Sequence, residues 1–364
     1  MRVGLVIYGS LEFPSGGFLY DRMLVGSLRH AGDTVEIISL PWESYGKCIT
    51  HGFVRRTRRP LLGWRGDLLL QDELVHPSLF ALNRSFRRAH AIPLVSIVHH
   101  LRASESGTGM PRVFSRGIER AYLRSVDGFV FNSVTTMRAV QALSGESRPG
   151  IVVQPAGNRL GCSVTEDEVA HRAVSPGPLR VLFVGNLIPR KGLLTLLEAL
   201  AAMPAETWRL SVIGSRAADP SHSRRVDRFL DERRLRGNVR MKDHIDDNAL
   251  ADEFRAHHVL AVPSSYEGFG IVYLEAMGCG VVPVGSLAGG AEEIIEDGAS
   301  GFLVPPADPG ALARVLNRLA EDRAFLGTCA RAARNRFTAF PGWDQQMEKI
   351  VAFLHSTIDR GRDR

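Results

Sequence analysis

The stretch from Leu260 to Gly280, LAVPSSYEGFGIVYLEAMGCG, constrains the fold more than any other part of the chain. An apolar run ends at Val262, and Pro263-Ser264-Ser265 breaks it. Gly268 and Gly270 then bracket a turn that opens into a helical pattern through Ile271, Leu274, Glu275 and Met277. The pattern predicts a strand, a glycine loop and a helix start. Such a start leaves backbone N–H groups unpaired at the positive end of the helix dipole, and small residues let an anion come close. Gly268, Phe269 and Gly270 are therefore candidates for holding an anion. Glu267 and Glu275 frame the loop, and carboxylates accept hydrogen bonds from sugar and ribose hydroxyls. Either glutamate taken alone is more often a solvated charge.

Short apolar runs that lead through a loop into a helical pattern recur along the chain. VGLVIY, TVEIISL, PLVSIV, DGFVFNS and GIVVQPAG belong to the first half, and RVLFVGN, WRLSVIGS and VVPVGS to the second. A chain of 364 residues is too long for one ordinary core. The expected organisation is a domain over residues 1–165, a polar linker broken by Pro and Gly over 166–179, a second domain over 180–340, and a closing helix and tail over 341–364. Residues 41–90 are poorly periodic, with a basic cluster in a loop punctuated by Gly and Pro.

Three further sites carry candidate chemistry. Gly16-Gly17 precedes a helical pattern, as a phosphate-approach loop does, although a glycine pair more often only turns the chain. His99-His100 ends the strand PLVSIV, and ligands in open α/β sheets bind at the carboxyl ends of strands. Arg190 and Lys191 fall at a helix start, where basic residues are disfavoured unless an anion is bound.

Glu267-x7-Glu275, with its glycines and the EAM-x-x-G continuation, resembles the E-x7-E signature of the retaining glycosyltransferases of family 4. That resemblance implies an α/β chain of the GT-B fold, with two Rossmann-like domains facing each other across a cleft and a last helix crossing back to the first domain. It implies that Glu267 contacts the transferred sugar, Glu275 binds the ribose hydroxyls, and the amides of Gly268 to Gly270 meet the diphosphate. Gly16 and Gly17 would lie against the diphosphate and acceptor, and His99 or His100 near the transferred sugar. Glu105 could face the acceptor. The backbone near His244 and Ile245 would hold the base. Lys191 matches the lysine of the family's G-R-x-x-x-x-K-G pattern, whereas Asn186 stands where the arginine is expected, so Arg190 is taken to supply the second charge. The resemblance further implies a UDP- or GDP-sugar donor, no cofactor and no metal. Retention would follow from attack on the face that the diphosphate leaves, with the phosphate taking the acceptor proton. The family often has an aspartate after the Pro-x-Gly that ends the first sheet; Asn158 follows it here, and no role is assigned.

Charge is unevenly placed. Residues 1–165 hold 20 Lys and Arg against 12 Asp and Glu, while the remainder holds 25 against 27. The basic excess concentrates at Arg55, Arg56, Arg58 and Arg59, flanked by Phe53 and Trp64. This predicts a phosphorylated or membrane-embedded acceptor and peripheral contact with an anionic membrane. Cys48, Cys162, Cys279 and Cys329 have neither metal nor disulfide spacing, which predicts a reduced, cytoplasmic protein. No apolar run reaches the roughly 18 residues of a membrane span. The competing readings are another GT-B activity such as an epimerase, a silent sugar-nucleotide sensor, and a nucleic-acid binding protein. The last must explain why the glycine loop and paired glutamates lie in the acidic half; no nucleic-acid partner is expected.

Overall fold

The structure is a computed structural model that describes residues 1–104 and 112–362. The chain divides into two compact units, one of Met1–Pro155 with Trp343–Arg364 and one of Ala156–Gly342. Glu105 lies outside the described residues.

The first unit is built on six parallel strands: β1 (Arg2–Tyr8), β2 (Thr34–Leu40), β3 (Leu68–Asp72), β4 (Leu94–Val98), β5 (Gly128–Phe131) and β6 (Gly150–Val152). Their order is β2-β1-β3-β4-β5-β6. β1 is central and covered on both faces, with Val3, Leu5, Val6 and Ile7 all fully buried, so it reads as a continuous apolar run rather than an alternating one. The helix Gly16–His30 follows β1, capped by Ser15, whose hydroxyl accepts from the Phe18 amide. The closing helix Trp343–Arg362 packs against it, and His355 reaches Asp33 at 3.0 Å.

Residues 41–90 are more ordered than their sequence suggests. Leu68–Asp72 is a fully buried central strand that pairs with β1 and β4. At five residues it is too short to show periodicity. The basic cluster lies on the helix Arg55–Gly63, not in a loop. Trp64 is only 5 % exposed, so its expected place on a membrane-contacting surface is overturned. Its indole covers Gly4 and Gly66, where an added Cβ would meet ring atoms at 2.8 and 2.4 Å, and its Nε1 donates to Glu36 at 3.1 Å.

The second unit repeats the plan with β7 (Leu179–Val184), β8 (Trp208–Ile213), β9 (Val239–Lys242), β10 (Val259–Ala261), β11 (Val282–Ser286) and β12 (Phe302–Val304), all parallel, in the order β12-β11-β10-β7-β8-β9. Residues 166–179 are not a linker. Glu166–Val174 is a helix of this unit, started by a reciprocal capping box between Thr165 and Glu168 and seated through buried Val169 and Ala173. Its polar residues are the solvated face of an amphipathic helix, which composition alone mistakes for a loop.

Cys162 and Cys279 form a disulfide with their Cα atoms 5.3 Å apart, which corrects the expectation of four unpaired thiols. The two cysteines are 117 positions apart, and no local spacing rule sees such a pair. No helix among the described residues is long and apolar enough to cross a membrane.

Candidate active site

In each unit the strand order reverses beside the first strand, between β1 and β3 in one and between β7 and β10 in the other. At such a switch point the loops leaving neighbouring strands part in opposite directions and open a crevice at the carboxyl ends. A cluster of buried ionisable groups sits at each.

In the second unit, β7 leads through Asn186 into a single 3-10 turn, Pro189–Lys191, and then the helix Leu193–Ala201. Gly192 joins them at φ +74°, and a Cβ there would stand 2.2 Å from the Pro263 carbonyl oxygen, so the two crevice loops touch backbone to backbone. That contact brings Lys191 Nζ to Glu267 Oε1 at 2.5 Å. Ser264 Oγ donates to the same oxygen at 2.7 Å, and Arg190 Nη1 lies 3.6 Å from Oε2 while donating to the Tyr266 carbonyl at 2.9 Å. Burial alone would raise the Glu267 carboxyl, but Lys191 and Arg190 hold it at about 2. One carboxylate thus faces two cations, leaving a net positive charge.

Glu267 leads into Gly268, Phe269 and Gly270. Phe269 is buried in the core, and Gly270, at φ +103°, is the N-cap of the helix Ile271–Gly278 and supplies no side-chain cap. Glu275, on the second turn, is 4 % exposed. Its Oε1 accepts from Arg159 Nε at 2.6 Å, and Arg159 also bonds Asp247. Burial raises the Glu275 carboxyl above its ordinary range, and Arg159 opposes this. The Cys162–Cys279 bridge ties the same two segments, three residues after Arg159 and four after Glu275. His244 and Ile245 lie between β9 and the helix Asp247–Ala256, where the His244 amide donates to Asp243 at 2.9 Å.

In the first unit, His99 follows β4 and its Nε2 meets Asp21 Oδ1 at 3.1 Å. The carbonyl of His99 accepts from Asn132 Nδ2 at 2.7 Å, and Tyr20 packs edge-on against the ring. Gly17 belongs to the first turn of its helix, and a Cβ there would stand 3.0 Å from the His99 ring. Asp72, at the end of β3, completes the cluster. Among the described residues, Asp21 Oδ2 and Asp72 Oδ2 are buried with no hydrogen-bond partner. Burial would lower the His99 pKa, but Asp21, by charge and hydrogen bond, and then Asp72 raise it to about 9. Burial and then Asp21 raise Asp72 to about 7. His99 is therefore an imidazolium at neutral pH.

Among the described residues, two groups have metal-ligand proximity: Asp21, Asp72 and His99, and the buried Glu73, His76 and Glu119. Burial pushes His76 down to about 4, and burial with Glu73 pushes Glu119 up to about 8.

Within the second unit the structure brings together Lys191, Arg190 and Glu267, with Gly268 to Gly270 and Glu275 following on one segment. Within the first it brings together Gly17 and His99. Sequence reasoning missed Asp21, Asp72, Arg159, Asp247 and Ser264. Asp21 lies one helical turn beyond Gly17, the single local signal among them.

The description "Glycosyl transferases group 1" matches residues 165–336. D-inositol 3-phosphate glycosyltransferase of Xylanimonas cellulosilytica is 32 % identical over 272 residues, 70 % of this chain and 64 % of that one, so this chain spans just under two thirds of that relative. The enzyme of the same name from Kineococcus radiotolerans is 31 % identical over 304 residues, 75 % of this chain and 68 % of its own. Among solved structures, sucrose-phosphate synthase from Thermosynechococcus elongatus superposes with a TM-score of 0.82 at 22 % identity, covering 99 % of both chains. Anabaena HepE in complex with UDP and glucose superposes with a TM-score of 0.75 at 19 % identity, over 98 % of this chain and 100 % of that one. The two six-stranded parallel sheets are those of the GT-B fold, and the chain belongs to the group 1 glycosyl transferases.

Proposed function

We propose that this chain is a retaining, metal-independent glycosyltransferase of family 4 that moves a sugar from a nucleoside diphosphate, UDP or GDP, to an acceptor hydroxyl. The observation that carries the reading is the cluster at the β7/β10 switch point, where Lys191 and Arg190 outnumber Glu267 beside an uncapped helix start. Departure of a nucleoside diphosphate develops negative charge, and cations and amides already fixed in place stabilise it without reorganising. The anomeric C–O bond to phosphate breaks, and the acceptor oxygen bonds to the anomeric carbon on the same face. The acceptor proton passes to the departing phosphate oxygen. Glu275, paired with Arg159, accepts from the ribose hydroxyls. His99, as an imidazolium, meets the transferred sugar, and Asp21 is the reason to prefer it to His100. UDP is the first donor to try, because HepE is a UDP-binding neighbour.

The acceptor is anionic or lipid-linked in this reading. Phe53, 65 % exposed, lines a groove of about 500 Å³ with the exposed Arg55 and Arg59, and Arg56 is exposed on the same helix, which suits an anionic surface such as the inner face of the cytoplasmic membrane. The test is transfer from labelled UDP-sugars to candidate acceptors in the presence of a chelator, with the anomeric configuration of the product read by NMR. Transfer with retention is expected. Inversion, or strict dependence on a divalent cation, would overturn the assignment.

A further inference from the structure

At the end of the second sheet opposite the switch point, three arginines share one face without a carboxylate among them. Arg180 on β7 is in register with Arg209 on β8, and Arg240 on β9 is in register with Ser211, two residues along from Arg209. Side chains two apart on a strand, and in register on adjacent parallel strands, point the same way, so Arg180, Arg209, Ser211 and Arg240 face together. Like charges directly opposite one another are destabilising. Among the described residues the guanidinium groups of Arg180 and Arg209 hydrogen-bond only to backbone carbonyls of Ala256, Ala205 and Trp208, and none of the three arginines forms an ion pair. Glu253 lies 3.8 Å from His257, which borders the same place, and already bonds Lys242.

The arginines line a cavity of about 340 Å³ that His257 also borders. Behind it, Arg323 donates to His258 and Arg172 gives its backbone carbonyl to the same ring. Burial first, and then the charges of Arg180, Arg323 and Arg172, hold the His258 imidazole down at about 3.

We infer that this cavity is a second anion site, for a phosphate monoester of about monosaccharide size. Guanidinium groups match phosphate oxygens in geometry and charge, and the Ser211 hydroxyl adds a donor. A cavity of this volume takes a small molecule rather than a nucleic-acid strand. It is separate from the switch-point cluster: β7 begins at this cavity and ends at Val184, about 17 Å away at 3.3 Å per residue.

The experiment is calorimetric titration at constant ionic strength with inorganic phosphate and with a hexose 6-phosphate. The proteins are the wild type, Arg209→Gln with Arg240→Gln, and a control with Arg224→Gln and Arg228→Gln on the exposed face of the helix Pro220–Glu232. Saturable binding is expected in the wild type and the control, and binding at least about tenfold weaker in the cavity variant. Tighter binding of the hexose phosphate than of inorganic phosphate would identify the sugar ester as the ligand, and equal binding the free ion. UDP at saturation should leave the binding in place. Absence of saturable binding, equal loss in the control, or displacement by UDP would each overturn the inference. Both substituted arginines are exposed, so the fold is expected to survive, and circular dichroism with the unfolding midpoint checks that it does.

Discussion

The clusters at the two switch points are built with opposite charge. In the second unit one acid, Glu267, faces two cations; in the first unit one base, His99, faces two acids, Asp21 and Asp72. In the proposed function the net positive charge of the first arrangement meets the diphosphate, and the imidazolium of the second donates to the transferred sugar. Equivalent places in two copies of one architecture thus carry complementary chemistry, set by which residues the strand ends deliver.

The largest effect expected from breaking this comparison is at Lys191. Lys191→Met should lower turnover by about 100-fold or more, as for a group that meets charge in the transition state. It should also destabilise the fold by about 3 kcal/mol, because Glu267 stays buried after losing its closer cation, with Arg190 alone beside it. Adding Glu267→Gln should restore most of the stability and none of the turnover. Rate measurements beside denaturant titrations check both parts, and turnover restored in the double variant would contradict the role of Lys191.

Next in size is the covalent tie. Cys162→Ser should lower stability by about 2–4 kcal/mol in oxidising buffer and change little when the wild type is already reduced. Melting curves with and without a dithiol reductant measure this, and identical wild-type curves would show that the bridge contributes nothing.

The pH dependences should also be opposite. Glu267 has a folded pKa of about 2, below its ordinary 4.5, so its contribution is present above 4.5 and lost as pH falls towards 2. His99, raised from 6.5 to about 9, contributes fully below 6.5 and loses its contribution as pH rises through 9. Asp72, raised from 3.8 to about 7, has the same sign as His99, its contribution fading between those values. Asp21→Asn should therefore lower the His99 titration and move the alkaline limb of activity to lower pH, leaving the acid limb unchanged. NMR of the His99 ring gives the titration directly, and an unmoved midpoint would remove Asp21 as its cause.

The smallest effect sharpens the ribose reading. Arg159→Met should leave the Glu275 carboxyl higher still, since burial then acts unopposed, and weaken nucleotide binding about tenfold at neutral pH. Raising the pH should recover part of that loss, because Glu275 then ionises. Affinities across a pH series decide, and a loss that does not respond to pH would make the role of Arg159 purely one of packing.

What was legible in the sequence follows from how local each signal is. Glu267, Glu275, Gly268 and Gly270 sit within nine residues, and the strand that precedes them and the helix they start fix their relative places. Lys191 was legible for the same reason, as a charge at a helix start. Glu267 and Lys191 nevertheless meet only because Gly192 lets one crevice loop touch the other, a contact across 76 positions. Asp21 and Asp72 had no motif, and β3, which carries Asp72, is too short to announce itself. Arg159 and the Cys162–Cys279 bridge span 116 and 117 positions, beyond any spacing rule. The recurring apolar runs and the chain length marked two domains, and their parallel sheets were implied by the family resemblance; the polarity of 166–179 read as a linker, where the structure has a helix over Glu166–Val174 started by the Thr165 capping box.

The most direct test is nucleotide binding. Thermal shift with UDP, GDP and ADP, on the wild type and Glu275→Ala, should give a rise in melting temperature for one nucleotide that the variant loses, since a ligand of the folded state stabilises by mass action. No rise with any of them at millimolar concentration, or an equal rise in the variant, would contradict a donor site at the β7/β10 switch point.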